Sequence, residues 1–346
     1  MTKKIRLPYF IVILFTVLLT SCFDDGFKDM DLKPEATGTP GRIIVVLDKP
    51  YWESDLGDAI RQTIGKPVEF LPQEEPIFDY TIVDNASLTS GMRTNHTIII
   101  FDVDKSMNTV AFNFNNPSKD IWAKNQTVYR IAGGTTTAIA EQYMRYAPTL
   151  IHELENSALS VLKEKYAKHY NKATKEELEI TMKLSLNVPV SMAVAENFND
   201  FVWMQQIKAL KVGGLDHEVQ QGVFVYTYPF IDDSTFTLSY QINKRDSLLK
   251  KYVHGKKEGT YMQTEKLKGF EPIYTEKTIN GDYAFEMKGL WKMQNSLMGG
   301  AFISVSRVDK KRNRVVTVEG YVYAPDLKKQ PYLRELQAMI YSLEFL

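Results

Sequence analysis

Apolar residues fall along this chain in patterns that predict its elements in order. Leu7 to Leu19 is an almost wholly apolar run, broken by Pro8 and Thr16, behind a basic start of Lys3, Lys4 and Arg6. It is shorter than the roughly 20 residues of a membrane-spanning helix, and predicts the core of a cleaved leader. Arg42 to Leu47 is, after its arginine, a continuous apolar run rich in β-branched residues, the pattern of a strand buried on both faces. Leu56, Ala59, Ile60 and Ile64 then recur at helical spacing behind Ser54, a plausible N-cap. Tyr80–Val83, Thr97–Val103 and Thr127–Ile131 read as further strands. Gly133-Gly134 leads into a helical pattern from Thr135 to about Tyr170, which Pro148 is expected to kink or split because it lacks an amide hydrogen.

The second half changes character. Thr174 and Glu177 have capping-box spacing for a short helix. Leu184, Leu186 and Val188 alternate as a strand stopped by Pro189, and Phe201–Met204 and Val223–Tyr228 read as the next strands. Leu238, Ile242, Leu249 and Val253 place one apolar stripe on a helix ending near Gly255. Asn280-Gly281 is a type I′ turn signal joining Ile273–Ile279 to Asp282–Trp291. Ala301–Val308 and Arg314–Tyr323 form a second hairpin over the basic tip Lys310 to Arg314, and a helix near Pro331 to Leu343 closes the chain. The predicted fold class is α+β, as two α/β-type sandwich domains, the C-terminal one a mainly antiparallel sheet with flanking helices. The predicted division is a leader at 1–21, a flexible tether at 22–41, an N-terminal α/β domain at 42–175 ending in the long helix, and a C-terminal α+β domain at 176–346.

Composition narrows the function. With 42 Lys+Arg against 42 Asp+Glu, net charge gives no pull towards nucleic acid. A single cysteine excludes a disulfide scaffold and a multi-cysteine zinc site. That cysteine, Cys22, follows Leu19-Thr20-Ser21, and the four residues resemble a lipobox, in which the thiol is diacylated and the chain is cleaved before it. Membrane attachment is therefore expected through lipid on Cys22, since two or three acyl chains anchor stably where one does not. Removal of residues 1–21 takes away Lys3, Lys4 and Arg6 and no acid, leaving the remainder three charges negative, so the lipid must do the anchoring. The expected location is the cell envelope, as an outer-membrane lipoprotein on the periplasmic face or the cell surface. Asp24-Asp25 resembles a surface-export signal of Bacteroidetes lipoproteins, or is simple linker acidity.

Two resemblances are carried by motifs. The lipobox, Ile43-Ile-Val-Val-Leu-Asp-Lys-Pro-Tyr-Trp52, Gly57-Asp-Ala-Ile60, Asn187-Val-Pro-Val-Ser191 and Phe201-Val-Trp203 together resemble the uncharacterised Bacteroidetes lipoprotein family known as domain of unknown function 4837. The resemblance would cover nearly the whole mature chain and implies no catalytic residue. The order of elements in the C-terminal half, ending Tyr341-Ser-Leu-Glu-Phe345, is similar to the PsbP/Mog1 type of sandwich, whose members are mostly accessory or binding proteins.

Candidate chemistry is sparse. His96, His152, His169, His217 and His254 show no i,i+4 pair and no H-E-x-x-H frame; His152-Glu153 is followed at the next turn by Asn156. No G-x-S-x-G elbow is present. Gly133-Gly-Thr-Thr-Thr137 could bind an anion at a helix start, or be an ordinary threonine-capped turn. Asp233-Ser-Thr235 and Asp246-Ser-Leu248 each resemble a short O-glycosylation acceptor. Tyr226/Tyr228, Tyr321/Tyr323 and Tyr51-Trp52 could stack on sugars, although alternation makes packing against a helix the expected use of the first two pairs. The tip Lys310–Arg314 could touch anionic headgroups, or be a solvated hairpin end. No catalytic, cofactor or metal residue is assigned. The expected function is a non-enzymatic binding or accessory module for an envelope protein or glycan; the alternative is an envelope hydrolase with its site in the interdomain groove.

Overall fold

The structure, a computed structural model, describes residues 33–346; Cys22, Asp24, Asp25 and the leader lie outside the described residues. In the N-terminal half the elements are β1 (Arg42–Val46), α1 (Asp55–Gln62), β2 (Asp79–Val83), α2 (Ser90–Arg93), β3 (Thr97–Val103), β4 (Ala111–Phe112), β5 (Ser118–Lys119), β6 (Thr127–Gly133) and α3 (Thr136–Lys168). Strands β2-β1-β3-β6 are parallel in that order, with β4 and β5 antiparallel on β6. Both faces of β1 are buried, as its unbroken apolar run predicts. Ile43, Val45 and Leu47 meet Leu56, Ile60 and Tyr143, whereas Ile44 and Val46 meet Ile98, Ile100 and Leu88. Ser54 caps α1 by accepting from the Leu56 amide.

Helix α3 runs through Pro148 without splitting. Losing one ladder bond costs about 3 kcal/mol or more, but the helix buries Tyr143, Ala147, Leu150 and Leu154 across that point, and Leu159, Leu162 and Tyr166 beyond it. That burial, at roughly 1.5–3 kcal/mol per large side chain, outweighs the defect.

The C-terminal half contains α4 (Lys172–Thr181), β7 (Leu184–Ser185), β8 (Ala193–Phe198), β9 (Phe201–Val212), β10 (Leu215–Pro229), α5 (Leu238–Tyr252), β11 (Met262–Thr264), β12 (Ile273–Ile279), β13 (Asp282–Met293), β14 (Gly299–Asp309), β15 (Arg314–Tyr323), α6 (Gln330–Ile340) and β16 (Glu344–Phe345). Eight strands make one antiparallel sheet, ordered β11-β13-β14-β15-β10-β9-β8 with β12 also on β13. Asn280 and Gly281 both have positive φ, as the type I′ turn requires. One sheet face, including Val202, Met204, Val223, Ile303 and Val318, packs on α6 and α3. The other, including Phe201, Phe224, Tyr226 and Phe285, packs under α5. The fold is α+β.

Three local expectations change. The cap of α4 is Asn171, which accepts from the Thr174 amide; Thr174 lies inside the first turn, and Glu177 accepts instead from Asn197. The stretch Leu184–Val188 is strand only at β7, where it pairs with β16; Leu186 and Val188 are buried outside it. Within the segment read as tether, residues 34–37 hydrogen-bond along the N-terminal half, with Ala36 N donating to Lys124 O at 2.9 Å and Thr37 N to Thr94 O at 2.7 Å.

The two halves share a seam. Val68, Phe70 and Leu71 from the N-terminal half, with Leu159 and Leu162 of α3, belong to the same core as Leu333 and Leu336 of α6. Glu75 accepts from the amides of Lys329 and Gln330 at 2.7 and 2.9 Å and so caps α6, which has no cap of its own. The expected boundary at 175/176 falls inside α4.

Candidate functional site

The alternation on β9 that sends Val202, Met204 and Gln206 to one side sends Phe201, Trp203, Gln205 and Ile207 to the other. Helix α5 covers Phe201 and Phe224 but ends at Tyr252, leaving the sheet beyond them open. Register then assembles a hollow. Gln205 lies opposite Gly222, and Gly222 opposite Tyr321; Ile207 lies opposite Gln220, and Gln220 opposite Tyr323. On the far side Gly300 lies opposite Trp291. A Cβ at Gly222 would stand 2.1 Å from the Tyr321 ring, so the ring lies down across that glycine.

The lowered ring reaches its neighbours. The Tyr321 hydroxyl accepts from Trp203 Nε1 at 3.1 Å and from Gln220 Nε2 at 3.3 Å. Burial pushes its pKa up, so it remains a protonated phenol. Trp291 Nε1 donates to Val322 O at 3.3 Å, and its ring meets Tyr321 edge-on at 5.6 Å. Gln220 also donates to Gln205 at 2.9 Å. The result is a cleft of about 620 Å³ floored by Trp203, Trp291, Tyr321 and Tyr323. Gln205, Gln220 and Glu218 lie on one side, and His254, Lys256, Lys257, Asn295 and Met298 on the rim. Its volume is that of a small-molecule site, and flat aromatic faces beside primary amides suit a ligand with apolar faces and hydroxyl edges.

The predicted aromatic pairs divide. Tyr226 and Tyr228 are buried under α5, with Tyr228 hydrogen-bonded to Gln241. Tyr321 and Tyr323 enter the cleft. Tyr51 and Trp52 pack on the N-terminal core, and the Arg61 guanidinium lies 4.5 Å from the Trp52 ring centroid. Trp203, Gln205, Gln220 and Trp291 carry no site motif in the sequence; the period-two alternation of Trp203, Gln205 and Ile207 is the signal that places those three on one face.

The histidines are dispersed. His96 contacts Asn125 O at 3.4 Å, His152 contacts Asn156 at 2.9 Å, and His169 is the exposed C-cap of α3. His217 lies 3.8 Å from Asp326, and His254 contacts Lys250 O at 3.1 Å on the cleft rim. Among the described residues no group of three or more His, Cys, Asp or Glu has metal-site geometry. At the Gly133-Gly134 turn a Cβ on Gly134 would stand 2.2 Å from Met107 O, so that glycine serves close backbone packing. Thr135 caps α3, and Asp55 is held below its usual range first by Thr137, then also by Thr136, so the helix start already faces a carboxylate of the chain. The basic tip is committed: Arg312 and Arg314 each pair with Asp309 at 3.0 Å, and Arg314 donates to Met182 O. Of the two O-glycosylation-like triplets, Thr235 is buried and Asp246 accepts from Thr264.

The groove between the halves is lined mainly by apolar residues, including Val68, Phe70, Ile151, Leu159 and Ile303. Its acids are Glu69 and Glu155; Lys66 holds Glu69 below the ordinary carboxylate range.

These features define an α+β protein with an aromatic cleft on its antiparallel sheet. Residues 171–342, the half that carries this sheet, belong to the family described as Domain of unknown function (DUF4837). Residues 36–167 match a second family, Domain of unknown function (DUF8532). The first match therefore covers the C-terminal half rather than nearly the whole chain, and the motifs at Ile43–Trp52 and Gly57–Ile60 fall in the second. A search of curated proteins gave no match. Among solved structures, the Ran-binding protein Mog1p of Saccharomyces cerevisiae is 12% identical, with 47% of this chain and 90% of that chain covered at a TM-score of 0.29. A protein of Bacteroides thetaiotaomicron is 8% identical, with 47% of this chain and 45% of that chain covered at a TM-score of 0.25. At these scores neither neighbour informs function.

Proposed function

We propose that the protein is a lipid-anchored envelope protein that binds a glycan in the cleft on its antiparallel sheet, without catalysing a reaction on it. The aromatic cleft carries this reading. Trp203 and Tyr323 offer part-exposed ring faces over the buried Trp291 and Tyr321, and Gln205, Gln220 and Asn295 offer amides at its edge. The lipobox-like Leu19 to Cys22 supports the anchor, and the acidic Asp24-Asp25 beside it is compatible with either face of an outer membrane.

The test is titration of the mature chain with a panel of envelope oligosaccharides, followed by tryptophan fluorescence and calorimetry. At least one glycan is expected to bind, and Trp203→Ala to weaken it at least tenfold, about 1.4 kcal/mol. No binding across the panel at millimolar concentration, or binding indifferent to Trp203→Ala, removes the glycan reading.

A further inference from the structure

The groove between the halves contains a buried charge with no acid in ion-pair contact among the described residues, Glu155 being an acid that lines the groove with it. Arg334 lies on α6 and is 6% exposed. A guanidinium carries five N–H donors, yet Arg334 makes a single hydrogen bond, from Nη2 to Ile77 O at 2.7 Å. No carboxylate pairs with it among the described residues. Burial pushes its pKa down to about 10, with Glu155 the acid that opposes the shift, so it stays charged at neutral pH. One side of the group is closed: a Cβ at Gly41 would stand 2.2 Å from Nη1, and the Phe78 ring centroid is 5.1 Å from Cζ.

Arg334 lines two hollows: a smaller one with Gly41, Asp79 and Lys328, and the groove, a cavity of about 310 Å³. Its walls are Val68, Phe70, Ile151, Leu159, Ile303 and Leu333. Lys66 and Lys288 add positive charge at its edge, although each already faces an acid, Glu69 at 2.8 Å and Glu286 at 3.2 Å. A buried cation is costly unless an anion pairs with it. The planar fork of arginine matches a carboxylate in two-point geometry.

We propose that this groove binds a small amphipathic monocarboxylate. Its carboxylate pairs with Arg334, and its apolar body lies on Val68, Ile151, Leu159 and Ile303. At about 30 Å³ per water-sized group the cavity holds on the order of ten such groups, which sets an acid of roughly eight to ten carbons.

The probes are octanoate, octanol, acetate and octyl phosphate, titrated calorimetrically into the full mature chain with thermal unfolding read in parallel. Octanoate is expected to bind and to raise the unfolding temperature, with octanol and acetate at least tenfold weaker, because each lacks one half of the recognition. Arg334→Met keeps the aliphatic stem and is expected to lose octanoate at least tenfold. Should that variant fail to fold, Ile273→Trp at the exposed mouth serves instead, and is expected to block octanoate while leaving unfolding cooperative. Equal affinity for octanol and octanoate, or undiminished octanoate binding in whichever variant folds, overturns the proposal. A preference for octyl phosphate overturns the carboxylate assignment.

Discussion

Beneath α5, Arg245 and Glu319 form an ion pair with both side chains fully buried. Arg245 Nε and Nη2 donate to the two Glu319 oxygens at 2.8 and 2.7 Å, Nη1 donates to Thr264 Oγ1 at 2.9 Å, and the guanidinium lies 3.9 Å from the Phe302 ring centroid. The pair ties α5 to β15 and β11 beside the cleft floor. Arg245→Met removes one partner and leaves a buried carboxylate uncompensated, which costs about 3–5 kcal/mol. Glu319→Leu leaves Arg245 with Asp246 at 3.6 Å, and is expected to cost towards the lower end of that range. The double variant removes both charges and fills the space with apolar groups, a change that is often neutral or stabilising. A double-mutant cycle by urea unfolding at pH 7 should therefore give a coupling energy of at least about 2 kcal/mol. By thermal unfolding each single variant should fall by roughly 6–20 °C, at about 2–4 °C per kcal/mol for a unit of this size. Either of two results refutes the reasoning: Arg245→Met costing under about 1 kcal/mol, or single-variant losses that simply add.

Further predictions concern the cleft, pH, the anchor and the division of the chain. Gly222→Ala forces the Tyr321 ring off its glycine and should cost about 1–3 kcal/mol while breaking the Trp203 hydrogen bond; unchanged stability and tryptophan fluorescence would contradict the packing argument. For Glu286, burial works to raise the pKa, but Lys288, Lys277 and Tyr341 outweigh it and hold the carboxyl below its ordinary value. Its contribution is present above the ordinary carboxylate range of about 4 and is lost as pH falls through the depressed folded value. Glu286→Gln should flatten the acid limb of a stability-versus-pH curve, and an unaltered limb counts against the assignment. Cys22→Ala should release the protein from membranes in a salt-wash fractionation; retention would remove the lipid anchor. We propose the division near residues 170–176 as a boundary between two units that stabilise each other. Residues 171–346 alone, which keep α4 and its Asn171 cap whole, should unfold at lower urea than the full chain because Leu333 and Leu336 lose Leu159 and Leu162, and an equal midpoint argues for independence.

Strand β1 was legible because both its faces are buried and every position after Arg42 is apolar. The hairpin at Asn280-Gly281 was legible because few residue pairs tolerate two consecutive positive φ angles. Strand β8 was not, since it is a largely exposed edge strand whose Ala-Val-Ala-Glu-Asn-Phe carries no apolar alternation. Asn171 hid as a cap because Thr174-Glu177 offers the same local signature three residues later. The cleft was legible only as separate strands. Trp203 and Tyr321 are 118 positions apart, and a register between β9, β10 and β15 joins them. Arg334 looked like any charged residue of an amphipathic helix, because its burial comes from the N-terminal half packing over it.

The Glu75 cap of α6 has a consequence for assembly. The amides it satisfies lie 254 and 255 residues further along the chain. A helix turn forms within about a microsecond, but this one keeps open donors until the opposite half arrives. Synthesis from the N-terminus puts Glu75 in place before the amides exist, so the late helix meets a waiting acceptor. Completion of α6 is then timed by the meeting of the two halves rather than by helix formation itself.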